Sequence, residues 1–130
     1  MVRYAAVVML CALLPRHALA AEGGPCGDPQ YGIHSDLVEL RKDCWKAAAE
    51  LNEKYKDALA SLRSQPSSSP TKHWPTRSDL IRSQRDWLKY RDSWCRFVAL
   101  HANWYTEKEL ACLVEVTNLR IQEIENLAHK

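Results

Sequence analysis

The chain has 130 residues, with 18 Lys and Arg against 16 Asp and Glu and 46% hydrophobic residues. That length suits one small domain, and a formal charge of +2 gives no reason to expect a nucleic-acid binder.

Residues 1–20, MVRYAAVVMLCALLPRHALA, carry a basic Arg3, an apolar run from Tyr4 to Leu14, and small residues at Ala18 and Ala20. This n-region, h-region and A-x-A order reads as a secretory signal peptide cut near Ala20. The apolar run is shorter than the about 20 residues needed to cross a bilayer as a helix. Cys11 raises a lipoprotein reading, which Leu10 disfavours because a small residue is expected before a lipidated cysteine. Cleavage removes Arg3 and Arg16 and no acid, leaving 16 basic and 16 acidic side chains. The expected product is periplasmic or secreted, with no transmembrane segment.

Residues 21–34, AEGGPCGDPQYGIH, are rich in Gly and Pro and read as an irregular N-terminal arm. Ser35 or Asp36 then caps a first helix over about 36–63, with Glu39 completing a capping box. Leu37, Leu40, Cys44, Ala48, Leu51, Tyr55, Leu59 and Leu62 recur at spacings of three and four, and no Gly or Pro interrupts them. The stretch SQPSSSPTKHWPT ends that helix in a loop.

A second helix is expected over about 78–101, with Ser78 as N-cap. Its inward stripe is Leu80, Gln84, Trp87, Arg91, Trp94, Cys95 and Val98. HANWYTEKE makes the next turn, and Thr106 caps a third helix over about 107–128. That helix presents Leu110, Leu113, Val114, Thr117, Ile121, Ile124 and Leu127. No period-2 pattern or internal repeat is seen. The expected fold is all-α, a disulfide-stapled antiparallel three-helix bundle over residues 35–130.

Four cysteines remain after cleavage: Cys26, Cys44, Cys95 and Cys112. An even count in a small exported chain argues for two disulfides, and sequence alone allows three pairings. In an antiparallel hairpin, residues equidistant from the turn face each other. Cys95 and Cys112 sit nearly symmetrically about Asn103 and Trp104, so this geometry favours Cys95–Cys112 and leaves Cys26–Cys44 to pin the arm. The first bridge would stabilise by roughly 3 kcal/mol on the chain-entropy estimate.

Nothing in the sequence supplies catalytic chemistry. There is no Gly-rich phosphate loop, no G-x-S-x-G and no H-E-x-x-H. Without a C-x-x-C pair, and with His34, His73, His101 and His129 scattered over loops and ends, no metal or other cofactor is expected.

Gln84 and Arg91 fall on the second helix's apolar stripe, one heptad apart. Burying an unpaired guanidinium costs several kcal/mol, so Arg91 requires partners or a ligand. The favoured reading is a structural polar layer of Asn52, Gln84, Arg91 and Thr117. Trp87, Trp94 and Tyr55 are expected in the core. The turn aromatics have less reason to be buried, which makes Asn103, Trp104 and Tyr105 candidate contact residues, with Lys72, His73 and Trp74 on the other connection. The up-down-up order places these two patches at opposite ends. The alternative for Trp104 is a ring folded back to plug the end of the bundle. Residues 63–91 hold seven basic side chains and residues 107–130 five acidic ones, a pattern of two mutually attracting helices.

Taken together, Cys44, Leu51, Asn52, Tyr55, Leu80, Gln84, Trp87, Tyr90, Arg91, Asp92, Cys95, Cys112, Thr117 and Arg120 resemble the pattern of the LprI-type lysozyme-inhibitor N-terminal domain family. The resemblance implies a small, helical, cell-envelope or secreted bacterial protein, with lysozyme inhibition as the family's named activity. A lysozyme or another envelope protein is then the expected partner, and the missing catalytic set argues against an enzyme. The alternative is an interaction module of the cell envelope that does not inhibit lysozyme.

Overall fold

The computed structural model describes residues 24–28, 34–63 and 75–128. They form three helices: α1 (Ser35–Arg63), α2 (Arg77–Leu100) and α3 (Tyr105–Ala128). All six ends fall within two residues of the expected ones, and no strand occurs among the described residues. The signal-peptide segment and the loop carrying Lys72, His73 and Trp74 lie outside the described residues.

α1 is a 29-residue helix because Gly and Pro are absent from it and its apolar residues keep to one side. Cys44, Ala47, Leu51 and Ala58 are buried. It opens at Ser35, with the His34 carbonyl accepting from the amides of Leu37 and Val38. Glu39 pairs with Lys42 at 2.7 Å rather than closing a capping box.

α2 is capped two residues earlier than expected, by Thr76 and not Ser78. The Thr76 hydroxyl accepts from the Asp79 amide (3.2 Å), and the Asp79 carboxylate accepts from the Thr76 amide (2.9 Å) and hydroxyl (2.6 Å). This reciprocal box satisfies donors that Ser78 could not. It also holds the Asp79 carboxyl below the usual aspartate range, through the Thr76 side-chain bond first and the backbone bond second. Likewise α3 opens before Thr106, where the Trp104 carbonyl accepts from the Lys108 amide at 3.0 Å.

α3 is the common neighbour. It packs extensively against both α1 and α2, which touch each other little. One buried cluster joins Cys26, Cys44, Cys95, Leu110, Cys112 and Leu113; the other joins Leu51, Ala58, Leu80, Ile121 and Ile124. Each contains two or more α3 residues. At the rim, Lys54 of α1 pairs with Glu125 of α3 at 2.5 Å, and that hydrogen bond raises the lysine pKa.

Cys26 and Cys44 are bonded, as are Cys95 and Cys112, with Cα separations of 5.7 and 5.4 Å. This is the pairing that hairpin symmetry favoured. The arm is held to α1 by more than its cysteine. Trp45 donates from its indole to the Gly27 carbonyl (2.7 Å), and Arg41 donates to the Asp28 carbonyl (3.0 Å). Gly27 sits at φ 68°, in the left-handed region that favours glycine.

Candidate functional site

Gln84, Arg91 and Thr117 are buried as expected, but they do not form the expected hydrogen-bonded layer. Arg91 donates to its neighbour Asp92 (Nε–Oδ1 2.8 Å, Nη2–Oδ1 2.7 Å), not to Thr117. Asp92 is half exposed, so this pair reaches solvent at one edge. Asn52 is exposed and belongs to no buried layer. The reason is rotation: Leu51 points inward, and one step along an α-helix turns the next side chain by about 100°.

Besides the Cys95–Cys112 bridge, α2 is tied to α3 by Arg120, which lies outside the inward stripe expected of α3. It donates to Gln84 Oε1 (3.2 Å), to Ser83 Oγ (2.9 Å) and to Glu123 Oε2 (2.8 Å). The Trp87 ring has both guanidiniums against it, Arg91 at 5.3 Å and Arg120 at 5.7 Å from its centroid. Cation–π attraction and hydrogen bonding thus satisfy two arginines in a partly buried setting. The signal available in sequence was spacing: Arg120 stands three residues after Thr117, on the flank of the inward face.

The turn between α2 and α3 exposes Asn103, Trp104 and Tyr105. Trp104 is 67% exposed, so its ring does not plug the end of the helices. The Cys95–Cys112 bridge lies below this turn, with Cys95 fully buried.

Trp94 is not in the core. It is 43% exposed and stands in a row with Tyr90 and Phe97, each 54% exposed. Ring centroids are 6.3 Å apart from Tyr90 to Trp94 and 5.9 Å from Trp94 to Phe97, with His101 another 4.9 Å along. Trp87 and Tyr55 do pack against the second cluster.

Two shallow grooves accompany these features. One runs between the arm and the helices and is lined by Arg41, Asp92, Arg96 and Glu109 among others. The second follows the basic side of α2 along Arg82, Arg85 and Lys89. No group of three or more potential metal ligands occurs among the described residues. No described helix is long and apolar enough to cross a membrane. What the described surface offers is exposed aromatic area and charge.

A family model described as "Lysozyme inhibitor LprI" matches residues 37–124. No curated protein and no solved structure matches the chain.

Proposed function

The chain belongs to the LprI lysozyme-inhibitor family, and from that premise we propose that it is an exported, non-catalytic protein that binds a lysozyme and blocks it. The observation that carries this reading is the family match, which spans parts of all three helices and takes in Cys44, Cys95 and Cys112. Two disulfides favour an oxidising compartment outside the cytoplasm, and the signal-peptide reading of residues 1–20 supplies the route.

In this reading the contact centres on Asn103, Trp104 and Tyr105. An exposed tryptophan on a connection braced by a disulfide loses little freedom when it binds. Cys95 meets Cys112 near the turn and Gln84 meets Arg120 farther from it, which supports an antiparallel α2–α3 pair within an antiparallel bundle. The turn then projects from one end, as an inhibitor of a cleft enzyme requires. Lys72, His73 and Trp74 are the lesser candidates, on the other connection.

A cell-wall lysis assay with lysozymes of several structural classes, using the chain from residue 21 onward, tests the reading. Inhibition of at least one class at near one-to-one stoichiometry is expected. Absence of inhibition, with capture of another envelope protein, would move the chain to the interaction-module alternative. Turnover of a cell-wall substrate by the chain itself would make it an enzyme.

A further inference from the structure

We infer that the docking surface extends from the turn along the aromatic row on α2 (Tyr90, Trp94 and Phe97), and that its occupant is the acidic, glycan-binding cleft of a lysozyme. This rests on the proposed function and adds the surface and the chemistry of its partner.

Tyr90, Trp94 and Phe97 place three half-exposed rings on one helix face. Each ring has roughly 150–250 Å² to bury, so the row exposes on the order of 300 Å² of contiguous apolar surface. A patch of about that size is comparable to the largest that a typical monomer exposes, and such patches are often functional. The row spans Tyr90 to His101, about 16 Å of helix at 1.5 Å per residue. It leads to the turn that carries Trp104, so row and turn follow one another along the chain. α2 is free to present this flank because it packs on α3 and makes little contact with α1.

Charge selects the occupant. α2 carries six basic residues (Arg77, Arg82, Arg85, Lys89, Arg91 and Arg96) against Asp79, Asp86 and Asp92. Arg82, Arg85, Lys89 and Arg96 share a face roughly a third of a turn from the rings. A lysozyme cleaves between two carboxyl groups in its glycan cleft. An aromatic ridge edged mainly with cations, Lys89 among them pairing with Asp86 at 3.6 Å, complements such a cleft in shape and sign. A second copy of this chain is a poorer occupant, because pairing α2 on α2 brings two basic bands together. About 300 Å² per partner is also well short of the about 800 Å² per partner of a stable interface. It suits the hot-spot centre of a larger one.

The test compares the chain from residue 21 onward with its Trp94→Ala/Phe97→Ala variant, using immobilised lysozymes of each class. The expected result is wild-type binding that a chito-oligosaccharide displaces, and binding by the variant weakened about tenfold or more. Circular-dichroism melting should match wild type. A second variant, Lys89→Glu/Arg96→Glu, leaves every ring in place and should also weaken binding, with a reduced salt dependence. If wild type binds and both variants bind equally well, the inference fails and the function stands. If wild type binds no lysozyme, both fall. A wild-type dimer in sedimentation that the ring variant disperses would assign the row to a second copy. Chito-oligosaccharide binding to the chain itself, lost in the ring variant, would assign it to glycan. Either result overturns the inference.

Discussion

Arg120 of α3 reaches across 36 residues of sequence to donate to Gln84 of α2 at 3.2 Å. Its side chain is only 12% exposed, and it binds Ser83 and Glu123 in the same stroke. This is the polar tie between the two helices, and it sits beside the ring of Trp87. Arg120→Ala leaves the buried Gln84 carbonyl oxygen without this donor, at a cost of about 1–3 kcal/mol. Urea denaturation should show that loss. Gln84→Leu in the Arg120→Ala background should recover part of it, because the stranded acceptor is then gone.

Arg91 behaves differently. Its partner Asp92 is half exposed and can turn to water when the arginine is removed. The loss on Arg91→Ala is therefore chiefly packing and the contact with Trp87, about 1–2 kcal/mol. Arg91→Met retains most of the bulk and should lie closer to wild type. Thermal melting of the two variants side by side separates volume from charge.

The Asp79 carboxyl gives α2 an acid-sensitive cap. Its folded pKa lies below its unfolded value, so the ionised form is favoured in the folded state. The stabilisation is complete above the unfolded value, about 3.9. It is lost as pH falls through the lower, folded value. Asp79→Asn should flatten this acid part of the stability profile, with Thr76→Ala acting in the same direction. Chemical denaturation at a series of pH values is the measurement. An unchanged profile in Asp79→Asn would show that other carboxylates set it.

The two bridges should separate in their effects. Removing Cys95–Cys112 as a double Ser variant frees the α2–α3 hairpin and costs roughly 3 kcal/mol. It also loosens the turn beneath Trp104. Removing Cys26–Cys44 loosens the arm, which keeps the Trp45–Gly27 and Arg41–Asp28 hydrogen bonds, while the contacts among the three helices remain. Helical circular dichroism should therefore survive in the second variant, and protease cutting should rise between residues 21 and 34.

Trp104→Ala removes a ring that is mostly in water, so its thermal midpoint should match wild type. Lysozyme binding should weaken by about 2 kcal/mol if the turn is a hot spot. Calorimetric titration reads both affinity and stoichiometry. A folded variant with undiminished affinity would move the contact off the turn.

Much of this architecture was legible from spacing. Leu51, Leu80, Leu110, Ile121 and Ile124 announced their faces by period, and the cysteines their pairing by symmetry about a turn. What escaped depended on the partner rather than the residue. Trp94 has the residue type of a core position, but only α3 packs closely on α2. The buried face is consequently narrow: Leu80, Gln84, Arg91, Cys95 and Ala99 fill it, and Trp94 falls outside. Ser78 and Thr106 are good capping residues by type, yet a reciprocal Thr76–Asp79 box outcompetes the first. Asn52 is adjacent to an inward leucine and is carried off by helical rotation. Arg120 has the residue type of a surface position, and only the placement of Gln84 and Ser83 opposite it turns it inward.

The position of α3 between its two neighbours also orders the assembly of the chain. α1 and α2 are made first and have little to hold each other with. Most of the contacts that join the helices wait for Leu110, Leu113, Ile121 and Ile124 to arrive. A chain that emerges N-terminus first therefore presents two helical segments with few mutual contacts until its final quarter follows. Until then Cys95 has no partner, while Cys44 already has Cys26 within 18 residues. Oxidation of the arm can thus precede folding, and oxidation of the hairpin must accompany it.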